Sequence, residues 1–421
     1  MMELHLMQRA PLKSPLVENL SEAIGRELAR MGAAEKIRPG SKIAVTAGSR
    51  GLARYPEILR TVVAWVKERG GKPFLVPAMG SHGGGTAEGR LNILARLGIT
   101  ADGIGAPIED GEDVVEVGRV AGIPVYTDGR AAAADGIILL NRVKPHTAFH
   151  GHLESGLVKM LVVGLGKVQG ADAFHTQPPS RLARTLEQMG SLLLERLPVI
   201  GGLALIENAE KELALVEGLS RNEILKKEPE LLKQARELMP RLPFTGADIL
   251  IIDEMGKNFS GTGMDTNIIG RYAVEGLEDA EEQPAKRIFV RDLSRETEGN
   301  ANGVGLADFI TERLARAIDR RATYLNALTT GFIRRAMLPL IFATDREALE
   351  AAAQSLKKRL EDCSLGWIRN TLHLGEILVS ADLVKACREA GYSETKTLPL
   401  NFGPDGNLIT PWDGGGFSWK I

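Results

Sequence analysis

The chain has 421 residues, 44% of them apolar and 25% charged, with a formal net charge of −2; that length exceeds one ordinary hydrophobic core, so two globular domains of roughly 150 to 250 residues are expected. The balanced charge and the lack of a basic stripe exclude nucleic acid as a main partner. Cys363 and Cys387, far apart and in no CxxC, exclude a disulfide framework or a cysteine-rich zinc module and suit a reducing cytoplasm.

The opening segment MMELHLMQRAPLKSPLVENL has no uninterrupted apolar core of the signal-peptide type, and no 18-residue apolar run follows it. A cytoplasmic protein without a membrane partner is the expectation. From residue 42 onward, strand, glycine loop and helix alternate. KIAVTAG at 42–48 reads as a buried strand, PEILRTVVAWVKERG at 56–70 as a helix, and KPFLVPA as a second strand. The loop MGSHGGG comes next, then a helix capped by Thr86, and ADGIILLN at 134–141 forms a third strand. A helix from about 180, the strands IGGLALIEN and ELALVEG and a charged helix at 220–239 complete the first half.

The segment MPRLPFTG marks a boundary near 240 to 246, giving an N-terminal domain over 1–243 and a C-terminal one over 244–421. Beyond it the alternation restarts. GADILIIDE, RIFVRDL and LPLIFAT read as strands, DFITERLARAID as a helix and DREALEAAAQSLKKRL as a helix capped by Asp345, and GEILVS with ADLVKACREA repeats the unit. The fold class is α/β: two lobes with mostly parallel sheets and an active-site cleft between them.

Five of the seven histidines fall between 82 and 175. His146, His150, His152 and His175 share one short stretch, and imidazole is both a neutral-pH acid/base and a metal ligand. His146 follows Pro145, which fixes the local backbone. His150, His152 and Glu154 form HxHxE, a pattern that metal ligands also make. Lys159 lies in SGLVKML among apolar neighbours, where burial favours the neutral, nucleophilic amine. Ser155 and Gly156 read as a helix start, whose N–H groups suit a phosphate.

In order, these residues resemble the nickel-dependent lactate racemase family. The matching positions are Arg50 in AGSR with Ser49 beside it, His82 in MGSH, His146 in KPH, Lys159 in SGLVK, His175 sixteen residues later, and Lys257 in DEMGK with Glu254 as a possible addition. The resemblance covers about 40–260. It implies a nickel-pincer nucleotide, a pyridinium-3,5-bisthiocarboxylic acid mononucleotide attached to Lys159 and carrying nickel ligated by His175. Ser49, Ser155 and Gly156 would help hold it, and other proteins would synthesise it. The implied reaction is racemisation or epimerisation of a 2-hydroxy acid by reversible hydride transfer, with His82 and His146 as bases and Arg50 and Lys257 on the carboxylate.

Two departures bear on that reading. The aspartate usual three residues before the arginine is Ala47, and TAFHGHLE lengthens the segment between KPH and SGLVK. His150 or His152 is therefore an alternative second base, and a substrate larger or more polar than lactate is implied. A metal-dependent hydrolase built on His150, His152 and His175, or a non-catalytic cofactor-binding homologue, stands as the alternative.

Overall fold

Apolar, β-branched runs set the two sheets. A computed structural model gives the structure of residues 2–10 and 15–412, and the chain divides into two units, 13–239 and 1–12 with 240–421. Both are α/β lobes. The first strand, β1 (Glu3–Arg9), belongs to the second lobe.

In the first lobe, β2 (Lys42–Ala47), β3 (Lys72–Pro77), the hairpin β4 (Val114–Val120) and β5 (Ile123–Asp128), β6 (Gly136–Arg142), β7 (Val199–Glu207) and β8 (Leu213–Ser220) are the strands. The main sheet runs β3-β2-β6-β7-β8. Neighbours are parallel except at β7/β8, which is an antiparallel pair. Side chains alternate between two cores. Ala44, Ile137, Leu139 and Ala204 enter one, and Ile43, Val45, Ile138 and Leu205 the other, so helices cover both faces and the strands read as continuous apolar runs. The β4/β5 hairpin forms a separate two-stranded sheet that the simple alternation in the sequence does not anticipate.

In the second lobe, β9 (Ala247–Met255), β10 (Ala285–Leu293), β11 (Phe309–Thr311), β12 (Leu340–Phe342), β13 (Leu365–Ile368), β14 (Glu376–Val379) and β15 (Tyr392–Pro399) join β1 in the order β12-β11-β10-β9-β13-β14-β1-β15. The first five are mutually parallel. β14, β1 and β15 add antiparallel. Three expectations change here. Residues 1–12 do not join the 13–239 lobe, because β1 pairs with β14 and β15. DFIT is strand before it is helix, with Thr311 capping a helix that begins at Glu312. The helix Asp345–Ser355 is capped by Thr344, and Asp345 is instead buried against Arg291, which donates to it at 2.8 Å.

A buried charge network braces the first lobe. Lys167 donates to Asp110 at 2.8 Å, and its ammonium lies 2.6 Å from Asp128. Arg90 donates to the other oxygen of Asp110 at 2.8 Å. All four side chains are at most 2% exposed. Burial pushes the Asp110 carboxyl up, but Arg90 and Lys167 hold it below the usual range. Arg90 sits on the helix Ala87–Arg96 that follows the His82 loop, and Lys167 opens the helix Lys167–His175. Lys167→Met leaves Asp128 without its cation and Asp110 with Arg90 alone, and should lower the unfolding free energy of this lobe by about 3–5 kcal/mol, read by urea denaturation. A loss under about 1 kcal/mol would show the brace to be dispensable.

Candidate functional site

Three adjacent parallel strands end at one edge, and each delivers a candidate residue into the loop beyond it: Ser49 and Arg50 after β2, His82 after β3, His146 after β6. The His82 loop is possible because Gly83, Gly84 and Gly85 take φ of 68°, 66° and 73° in succession, a backbone only glycine adopts freely. The Ser49 hydroxyl contacts His82 Nδ1 and so orients the ring.

Arg50 is solvent-accessible and makes no ion pair among the described residues; desolvation and the nearby Arg142 charge depress its pKa. Arg142 is itself paired with Glu207. Arg50 is therefore available to a carboxylate, which its planar fork fits.

The segment 144–155 is a loop pinched shut where the Lys144 N–H donates to the Ser155 carbonyl at 3.0 Å. At its centre Glu154 is fully buried. It accepts from the His146 N–H at 2.5 Å and the Gly151 N–H at 3.1 Å, meets His150 Nδ1 at 3.3 Å, and pairs with Arg236. The three histidines thus diverge. His152 points outward, 3.2 Å from Glu187, with both side chains about half exposed. His146 Nδ1 accepts from the Ala148 N–H at 3.1 Å, which puts the neutral ring's proton on Nε2. His150, facing a carboxylate through Nδ1, carries its proton there and its lone pair on Nε2.

Lys159 lies on the helix Leu157–Lys159, which continues as a π-helical turn, Met160–Gly164, a form frequent at functional sites. Its ammonium is 5.7 Å from the centre of the Phe149 ring, which stacks on His146 at 4.3 Å. Desolvation first, then the charges of Lys144 and Arg50, lower its pKa to about 7. His175 ends its helix with Nδ1 at 2.7 Å from the Ala171 carbonyl, so the neutral ring carries its proton there and its lone pair on Nε2. Burial and the Lys159 charge depress its pKa, which favours the neutral form. The Lys159 charge thus reaches His175.

The expected phosphate cradle is already filled. Glu228, on the helix Ile224–Leu238, accepts from the Leu157 N–H at 2.7 Å and the Val158 N–H at 3.2 Å. A Cβ at position 156 would lie 2.3 Å from its Oε1, so Gly156 exists to admit this carboxylate. Ser155 sits in the loop-closing bridge to Lys144. Burial raises the Glu228 pKa to about 7 against the pull of those two N–H groups.

Lys257 and Glu254 lie in the other lobe. Lys257 donates to the Gly261 carbonyl at 2.6 Å and to the Asn326 side chain. Desolvation, with Asp292 and Asp253 nearby, raises the Glu254 pKa. Among the described residues no three His, Cys, Asp or Glu side chains are grouped to hold a metal, so His150, His152 and His175 do not form the hydrolytic cluster. Both cysteines are buried and free, and no helix among the described residues is long and apolar enough to cross a membrane.

No protein-family model and no curated protein matches the chain. Among solved structures it is similar to the lactate racemase apoprotein of Thermoanaerobacterium thermosaccharolyticum, with a TM-score of 0.50 and 12% identity over 84% of this chain and 91% of that one. That likeness is one of fold.

Two titrations test the site. The folded Glu228 pKa of about 7 lies above its ordinary 4.5, so its contribution to stability is full below 4.5 and is lost as pH rises to 7. Glu228→Gln keeps an acceptor for the two N–H groups and should flatten that part of the stability profile, followed by thermal melts across pH; an unchanged slope refutes the assignment. Acylation of Lys159, read by peptide mass spectrometry, should rise with a midpoint near 7, whereas ordinary lysines follow a pKa of about 10.4.

Proposed function

We propose that the protein is an isomerase that inverts the C2 centre of a 2-hydroxy acid with a nickel-pincer nucleotide as cofactor. The observation that carries this is the pairing of Lys159 with His175. One offers an amine that is neutral near pH 7, and the other an imidazole whose Nδ1 is anchored and whose Nε2 is the ligating atom. A pincer that brings its own sulfur and carbon donors needs just one protein ligand, so the lack of a three-residue cluster suits it. Lys159 would hold the group covalently and His175 its nickel; the bound group would accept and return the C2 hydrogen as hydride. Its phosphate is not held by Leu157 and Val158, whose N–H groups Glu228 takes.

This chain's residues do the rest. Arg50 binds the substrate carboxylate, and its charge together with that of Lys144, both felt at Lys159, attracts an anion. His82, steadied by Ser49, takes the hydroxyl proton on one side. On the other, His150 has the carboxylate-backed arrangement of an acid/base, and His146 donates its Nε2–H to the substrate oxygen.

Protein from its native host should carry nickel and a covalent increment on Lys159, by metal quantitation and intact mass. His175→Ala should lose the metal and keep the fold. His82→Ala and His150→Ala should keep the metal while slowing turnover by about 10²–10⁴-fold, with His146→Gln milder. A 2-deuterated substrate should be inverted in ordinary water with its label retained. Washout of deuterium at early conversion, or zinc without an adduct, overturns the reading; an adduct with no turnover on any 2-hydroxy acid leaves a cofactor-binding homologue.

A further inference from the structure

Of the twelve large hydrophobic side chains that are exposed among the described residues, eight lie between 324 and 341, so one short stretch holds most of the unburied apolar surface. It comprises the helix Arg320–Thr330, the 3-10 turn Ile333–Ala336 and the strand β12. Leu325 and Leu328 are 66% and 70% exposed, and Ile333, Met337 and Leu340 each show more than half their surface. The helix turns Thr323 and Ala327 inward and contacts Lys257 through Asn326, so it is fixed in place while its outer face stays bare. An amphipathic helix with leucines on the wrong side is costly in water unless something covers it.

We propose that this face docks a second copy of the chain about a twofold axis. A standard interface takes about 800 Å² from each partner, and this one stretch, with eight of the twelve exposed large apolar side chains among the described residues, is where the lobe offers apolar surface for it. β12 is the outer strand of its sheet. The Leu340 N–H is spent on the Asp308 carbonyl, so by alternation the backbone of Ile341 faces away from β11 and is positioned to meet its own copy antiparallel. The rim carries both signs, with Glu312 and Asp319 beside Arg320, Arg321 and Arg334, all exposed. Mixed signs suit a self-complementary contact, whereas an anionic lipid surface calls for cations alone. Because Asn326 on the same helix holds the Lys257 ammonium, the dimer contact backs the loop that carries this lysine.

The test is sedimentation velocity on the full chain from submicromolar to tens of micromolar, beside Leu325→Asp/Leu328→Asp and, independently, Leu340→Lys, with circular dichroism to verify folding and anionic vesicles as a second probe. The wild type should be dimeric in the low micromolar range. Both variants should be folded and should dissociate on the order of 100-fold more readily, as loss of buried interface anchors gives. A wild type that stays monomeric at tens of micromolar overturns the proposal, and its capture by vesicles would then identify a lipid surface as the occupant. Dimers that tolerate both substitutions overturn it as well.

Discussion

Strands β3, β2 and β6 lie side by side and point the same way, and every other feature of the site follows from that direction. A parallel sheet has to return each chain crossing through a helix, so all its strands end at one edge and all its functional loops gather there. Residues separated by nearly a hundred positions, Ser49 and His146, become neighbours of one surface without any long loop having to find its place. The helix that carries Lys159 is tied to the same edge, since Asn141 at the end of β6 donates to the Gly156 carbonyl at 2.7 Å. The burial of both sheet faces makes this geometry stiff, and the brace of Lys167, Asp110, Asp128 and Arg90 extends the stiffness to the helices beyond the sheet.

Charge is distributed in that frame with a clear division. The loop side presents Arg50 and Lys144, whose charges, after desolvation, depress the proton affinity of Lys159. The carboxyl groups that belong to the region are drawn inside onto donors: Glu154 beneath the histidine loop, Glu228 behind the first turn of the Lys159 helix, Glu207 on Arg142. Internal carboxylates thus shape the backbone, and the site is left short of negative charge, a deficit that an incoming carboxylate or phosphate is suited to fill.

Much of this was legible in the residues, for reasons that also explain what was not. KIAVTAG, ADGIILLN and GADILIIDE announce themselves because both faces of a parallel strand are buried and apolar residues need not alternate. The histidines and Lys159 stand out because such groups are rare among apolar neighbours. Thr86 was readable as a cap, since its hydroxyl reaches the Gly89 N–H within one turn. Long-range partnerships left no such trace. Glu228 reaches the Lys159 helix from 71 residues away, and in KKEPELLK it looks like one more exposed acid. In HGHLE the regular spacing suggested a shared ligand, yet the loop turns His152 to solvent and His150 inward. Thr344 outcompeted Asp345 as a cap because the aspartate is worth more against Arg291. β1 escaped notice because MELHLMQR mixes polar and apolar residues, as an antiparallel strand flanked by late segments does.

The place of β1 has a consequence for how the chain is made. It precedes every other described strand in the sequence, but the strands on either side of it, β14 and β15, follow all the others. The lobe formed by 13–239 has all its own strands by mid-synthesis and is able to fold as a unit while translation continues. The other lobe has to hold β1 open throughout, a segment with two unsatisfied edges, and closes its sheet when β14 and β15 arrive on either side of it. Maturation of the second lobe therefore waits on its late strands: removing β1 or β15 takes a strand from the same sheet, and a nascent chain stalled before β14 displays an edge that invites aggregation.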